Sequence, residues 1–171
     1  MAYTYKQGKF NPRYPEKYDG NANNIIYRSW LEHRVMSKLD NDPDITLWQS
    51  EEFFIPYRIP GEKFIRRYFV DLYFVKKIGS VEKKFVCEVK PYEQTMPPKV
   101  TKGKSKKRLL NEQAAWVMNS AKWEAAEKWA SEKGCKFITW TEKDLPDGRK
   151  KTRRKRVSKT RKRAASKRRI K

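Results

Sequence analysis

Two long runs of β-branched and aromatic residues, 64–76 and 83–90, are separated by Ile78-Gly79-Ser80-Val81. Gly-Ser between extended runs predicts a two-residue hairpin turn, since Gly tolerates the positive φ that such turns require. With Gly79 and Ser80 at the turn, the pairing of the whole hairpin follows, and Asp71 falls directly across from Glu88. Side chains alternate along a strand, so Phe69, Asp71 and Tyr73 are expected on one face with Val86, Glu88 and Lys90 of the partner. A slip of one residue would send every one of them to the opposite face.

The residues around these charges are apolar on both strands, Tyr68-Phe69-Val70 and Leu72-Tyr73-Phe74 on one and Phe85-Val86-Cys87 on the other, which places the charges mid-sheet. Opposed carboxylates destabilise a sheet, more so when partly buried. Two compensations are open. Asp71 and Glu88 could share a divalent cation, Mg²⁺ or Mn²⁺, which takes one or two carboxylates together with waters and phosphate oxygens. Lys90, on the same face, would then stabilise the charge that grows on a phosphate under attack by water. Alternatively, each acid is paired by neighbouring lysines and arginines on a wet sheet face. Glu32 is a candidate third acid, lying beside the apolar stripe of a helix read over 25–39, with pairing to Arg28 or Arg34 as its alternative. The lone His33 is expected on the solvent side of that helix. Neither a Ser-His-Asp arrangement nor a Gly-rich phosphate loop occurs.

The rest of the chain arranges itself around this hairpin. Residues 1–24, with Gly8, Pro12, Pro15 and Gly20, read as an irregular N-terminal arm. Further strands of one sheet are expected at 45–48, 53–58 and 136–140. Residues 109–133, free of Gly and Pro and stopped by Gly134, predict the longest helix, with Trp116, Trp123 and Trp129 packing it on the sheet. The expected class is α/β: one domain over 25–148, interrupted by a basic loop at 97–108 and followed by a basic tail at 149–171.

Charge decides the partner class. The 171 residues carry 42 Lys and Arg against 20 Asp and Glu, a formal charge of +22. Fifteen of the basic residues fall in 149–171 and six in 97–108, neither segment containing an acid, so the remainder is nearly neutral. Such segments suit a polyanion, because each Lys or Arg that neutralises a phosphate releases condensed counterions, the alternative being a solvated tail that aids solubility or localisation. The expected DNA contacts are Lys99, Lys102, Lys104, Lys106, Lys107 and Arg108 in the loop, and Arg153, Arg154, Lys155, Arg156, Arg161, Lys162, Arg163, Arg168 and Arg169 in the tail. The tail's large apolar residues, Val157 and Ile170, are too few to insert into a membrane surface. Aromatics at 13% provide a core despite a hydrophobic content of only 37%. Cys87 and Cys135 have neither zinc nor dithiol spacing, which excludes a disulfide scaffold.

The combination of a glutamate on the first helix, Val70-Asp71 on a strand and Glu88-Val89-Lys90 on the next resembles the PD-(D/E)xK nuclease superfamily, including the transposase endonuclease subunit of the Tn7 type. Val70 stands where the signature has proline. Over residues 8–145 the chain is similar to the head-completion proteins of contractile-tailed bacteriophages. The similarity runs through Gly8-Lys9-Phe10-Asn11-Pro12, Ile25-Ile26-Tyr27-Arg28-Ser29 with Glu32, Trp48 with Ser50-Glu51-Glu52, Arg67-Tyr68-Phe69-Val70-Asp71, Glu88-Val89-Lys90-Pro91, Asn111-Glu112 and Ala121-Lys122-Trp123. The resemblance implies a restriction-endonuclease-like core with a mixed central sheet flanked by helices. Glu32, Asp71 and Glu88 become acidic metal ligands and Lys90 the superfamily lysine. It further implies a Mg²⁺- or Mn²⁺-dependent endonuclease that acts on or secures the packaged double-stranded DNA end before tail attachment. Its setting is then the virion head or neck and the host cytoplasm, beside portal, neck or capsid proteins. The alternatives are a neck or capsid component that keeps the fold without cutting and uses its basic tail to hold DNA or an acidic protein partner, and a nuclease of repair or transposition.

Overall fold

A computed structural model describes residues 7–145. Its centre is a four-stranded mixed sheet built from β3 (Ile45–Gln49), β6 (Leu72–Ile78), β7 (Val81–Val89) and β8 (Cys135–Trp140), in the order β3-β6-β7-β8. The β6-β7 hairpin turns at Gly79 and Ser80, with Gly79 at φ +63°, and pairs Ile78 with Val81 through to Leu72 with Cys87, the register that the turn predicts. β8 joins β7 in parallel. Parallel neighbours need a long crossover, and here it contains α2 (Lys106–Glu132).

Alternation along β6 and β7 feeds two cores. Leu72, Phe74, Cys87 and Val89 face α1 (Trp30–Asn41), whose Val35, Met36 and Leu39 are buried against them. Tyr73 and Val86 face the other way, onto Ala121, Ala126 and Ala130 of α2. The small residues on that stripe let the helix lie close to the sheet, while the bulk is supplied from its flanks, where Trp129 stacks on Phe53 at 5.1 Å and Trp116 meets Trp123 edge-on at 5.7 Å. These tryptophans are packing residues, as their helical spacing predicts.

Three local expectations are corrected. Residues 25–27 are not helical: β2 (Ile25–Tyr27) pairs antiparallel with β1 (Gly8–Phe10), and the helix begins at Trp30. Ser29 explains the late start, since its Oγ accepts from the Glu32 N–H at 3.1 Å as an N-cap. Within the arm expected to be irregular, residues 8–10 are thus a strand, and its described part packs on the body. Phe10 and Tyr18 meet the fully buried Trp48 edge-on at 5.7 and 4.8 Å, contacts worth about 0.5–1.5 kcal/mol each beyond their area. Buried Asp40 accepts from the N–H groups of Arg13 and Tyr14 at 2.7 and 3.2 Å.

Second, 64–76 is not one strand. β5 (Arg66–Phe69) leaves the central sheet and pairs with β4 (Phe54–Tyr57) in a separate two-stranded ribbon, so the strands do not form one sheet. The chain bends at Val70-Asp71, and the alternation changes phase there: Tyr68 and Val70 join Tyr73 on the α2 side, whereas Phe69 turns outward. Third, His33 is half-buried, stacked on Trp30 at 4.6 Å with Phe10 and Tyr27 at its edges, and burial pushes its imidazole pKa down. The expected tail residues Arg153, Arg154, Lys155, Arg156, Arg161, Lys162, Arg163, Arg168 and Arg169 lie outside the described residues.

Candidate active site

One end of the sheet gathers the start of β6, the end of β7 and the end of β8. Asp71 sits at the bend immediately before β6, one step beyond the last ladder pair, and is next in register to Glu88. Its Oδ2 accepts from the Val89 N–H at 2.8 Å, which fixes the carboxyl group over the end of β7. Glu88 is 1% exposed. Its Oε1 lies 2.9 Å from the Lys90 ammonium, and its Oε2 accepts from the Tyr68 hydroxyl. Lys90 is held in turn where the main chain leaves β7, its N–H donating to the Trp140 carbonyl at 3.0 Å.

The electrostatics follow from burial. Desolvation and the neighbouring Glu88 push the Asp71 carboxyl well above the usual carboxylate range, with Lys90 and the Val89 N–H opposing only part of the rise. Burial lowers the Lys90 pKa, but Glu88 and Asp71 outweigh it, so its ammonium is held charged beyond the ordinary lysine value. Desolvation, followed by the Glu88 and Asp71 charges, drives the Tyr68 phenol upward, which keeps it a proton donor to Glu88. One cation therefore faces the buried Glu88 and the half-buried Asp71, and with both acids ionised the site would be one positive charge short of balance.

Glu32 occupies a different position from Asp71, Glu88 and Lys90. It forms a capping box at the start of α1: its Oε1 accepts from Ser29 Oγ at 2.8 Å and its Oε2 from the Arg28 N–H at 2.6 Å. Its charge still reaches the site, raising both the Asp71 and Lys90 pKa values. Among the described residues no three Asp, Glu, His or Cys side chains come together closely enough to hold a metal ion. Asp71, Glu88 and Lys90 converge; Glu32 stands beside them with both carboxylate oxygens engaged.

In the basic loop, Lys99, Lys102, Lys106, Lys107 and Arg108 are exposed around the start of α2. Lys104 is turned inward onto Glu112 at 2.7 Å and the Lys99 carbonyl at 2.8 Å, and Arg108 shares Glu112 at 3.0 Å. Lys99, Lys104, Lys107 and Arg108 line a cavity of about 1,050 Å³ that also meets Tyr92, Met96 and Trp116, while Lys102 and Lys106 lie outside its lining.

Two features escape sequence reasoning. Tyr68 reaches Glu88 only because the strand changes phase at Val70-Asp71; in a continuous strand it would point away. Arg28 grips Glu51 through two hydrogen bonds, at 2.8 and 2.6 Å. Glu51 is held at φ +56°, and its N–H donates to the Val70 carbonyl at 3.1 Å, pinning the bend next to Asp71. A non-glycine residue at positive φ is uncommon and persists where surrounding contacts fix it. No local pattern in the sequence marks either feature.

Comparison with known proteins shows the family of the chain. The family described as TnsA-like endonuclease N terminal matches residues 42–142, the stretch that contains Asp71, Glu88 and Lys90. Over 149 residues the chain is 38% identical to the head completion nuclease of Enterobacteria phage T4, covering 85% of this chain and 95% of that relative. No solved structure gives a significant match. The chain belongs to the TnsA-like endonucleases of the PD-(D/E)xK superfamily, on the branch of the head-completion nucleases. It is thus a nuclease with a restriction-endonuclease-like fold, and DNA is its substrate class.

Proposed function

We propose that this nuclease hydrolyses DNA phosphodiester bonds at Asp71, Glu88 and Lys90, and that it does so on the packaged genome end during phage head completion. The observation that carries this is the buried Glu88 carboxylate beside the half-buried Asp71 and Lys90, with the Lys90 ammonium 2.9 Å from Glu88. Divalent-metal dependence is general among PD-(D/E)xK nucleases. The donor set fits such an ion: hard carboxylate oxygens, a deficit of positive charge, and an Asp71 Oδ1 that accepts no hydrogen bond among the described residues.

Asp71 and Glu88 would hold Mg²⁺ or Mn²⁺, which when bound supplies Lewis-acid polarisation of the scissile phosphate and activation of water. The remaining chemistry belongs to the chain. The Val89 N–H and the Tyr68 hydroxyl set the directions of the two carboxylates. Lys90, kept charged by its neighbours, stabilises negative charge accumulating on the phosphate. Glu32 adds negative field from α1, its two carboxylate oxygens held by Ser29 and the Arg28 N–H as those of Glu88 are held by Lys90 and Tyr68. The exposed lysines of 97–108, with Lys104 and Arg108 drawn partly toward Glu112, and the basic tail grip phosphates without reading bases, which makes cutting sequence-indifferent. The relative's name supports a place at the phage head, and we propose that the protein acts there beside portal, neck or capsid proteins after synthesis in the host cytoplasm.

The test is incubation of purified protein with linear and supercoiled DNA in Mg²⁺ or Mn²⁺. Cleavage that disappears in Asp71→Ala and Lys90→Ala is the expected result; metal-independent binding without cutting overturns the proposal.

A further inference from the structure

The β4-β5 ribbon buries one face and leaves the other uncovered. Ile55, Tyr57 and Tyr68 pack inward toward α2, while Phe54 and Phe69, paired directly across the ribbon with ring centroids 5.8 Å apart, are 46% and 48% exposed. The connecting turn adds exposed Phe64 and Ile65. An outward aromatic pair is costly on a ribbon that has a buried face available for large side chains, so it calls for a partner.

The charge around the rings says which partner. The Arg67 guanidinium lies over the Phe54 ring at 5.6 Å and makes no ion pair among the described residues. Glu62 and Glu51 are committed to Arg66 and Arg28, at 2.7 and 2.6 Å, and Glu52, two residues before Phe54, accepts from the Tyr18 hydroxyl at 2.8 Å. Flat rings interleaved with an unneutralised guanidinium complement a ligand with both π faces and negative charge. The platform also adjoins the site: from Phe69 the chain runs through Val70 into Asp71, about 7 Å further along at roughly 3.3 Å per extended residue.

We propose that Phe54, Phe69 and Arg67 form a stacking platform for unpaired bases, so that the nuclease prefers DNA whose strands are splayed or single-stranded next to the bond it cuts. This rests on the nuclease reading of the Asp71 site, which it deepens by naming the substrate structure. A fully paired duplex keeps its base faces stacked internally and offers the platform only phosphates, whereas a splayed end offers a free face for each ring.

The experiment uses the full chain in EDTA, so that nothing is cut. Binding is measured by fluorescence anisotropy to a blunt duplex and to the same duplex with splayed ends, the latter carrying 2-aminopurine in the unpaired arm. The wild-type protein is expected to favour the splayed DNA by about tenfold, the scale of one stacked base, with altered 2-aminopurine fluorescence. Phe54→Leu/Phe69→Leu keeps apolar bulk but removes both rings, and should bring the ratio close to one and abolish the fluorescence change. Unaltered melting of that variant checks its fold. A wild-type ratio near one, or a Leu variant that retains the preference, overturns the platform. Failure to cut in Mg²⁺ counts against the nuclease reading alone, since binding in EDTA does not depend on it.

Discussion

The Lys90 ammonium stands 2.9 Å from a Glu88 carboxylate that is 1% exposed. Removing one partner of a buried ion pair strands the other, at a cost of about 3–5 kcal/mol. Lys90→Ala should therefore lower stability by about that amount as well as activity. Glu88→Gln combined with Lys90→Ala should recover much of the stability and none of the activity, a coupling that denaturant melts of the four proteins in the cycle would measure. Additive losses would mean that the pair is not coupled in the folded protein.

Asp71 gives a pH signature. Burial and Glu88 raise its folded pKa above the unfolded carboxylate value of about 3.9. The folded state therefore binds the proton more tightly. Its contribution to stability is complete below the unfolded pKa and is lost as pH rises through the folded one. In EDTA, the wild-type Tm should carry a component that declines over this window, and Asp71→Asn should remove that component. At neutral pH, Mg²⁺ should raise the wild-type Tm by mass action and leave Asp71→Asn unmoved. Equal Mg²⁺ responses in thermal scans of both proteins would place the ion elsewhere.

Tyr68→Phe deletes the hydroxyl that donates to buried Glu88 and should cost about 1–3 kcal/mol of stability. Because the ring stays in place and is buried, kcat should fall with KM little changed. Steady-state cleavage of a labelled duplex separates the two; a change confined to KM would mean that Tyr68 contacts substrate.

Ser29 and Glu32 cap α1 reciprocally. Ser29→Ala should cost about 1 kcal/mol. Glu32→Gln retains a capping-box side chain and should leave Tm nearly unchanged, with an activity loss much smaller than that of Asp71→Asn. Loss of cleavage equal to that of Asp71→Asn would make Glu32 a primary ligand.

Truncation after Gly148 removes 15 basic residues. DNA affinity should weaken, and the slope of log affinity against log salt should become shallower in proportion to the number of phosphates that the tail neutralises. Titrations at several salt concentrations would check this, and an unchanged slope excludes the tail from DNA binding.

The sheet end was legible where local chemistry governed it. A Gly79-Ser80 turn permits one pairing, and the ladder from Ile78-Val81 to Leu72-Cys87 follows it, bringing Asp71 next to Glu88. Helix α2 was equally plain, from a Gly- and Pro-free run closed by Gly134. The break before Asp71 was not, because residues 66–78 have strand-forming composition throughout. β5 leaves the central sheet because β4 offers it a different partner, a choice between distant segments. For the same reason residues 25–27, apolar and compatible with helix, became a strand once β1 was there to pair with them.

Turn chemistry, side-chain alternation and charge segregation, all local properties, determined the hairpin register, the convergence of two acids with one lysine, and the separation of basic segments from a nearly neutral body. Tertiary structure alone decided the phase change at Val70-Asp71 that turns Tyr68 onto Glu88 and Phe69 outward. It also decided the Arg28–Glu51 clasp behind that bend. Each depends on which remote segment a strand or side chain meets, and burial energy settles that choice only once the whole chain has packed.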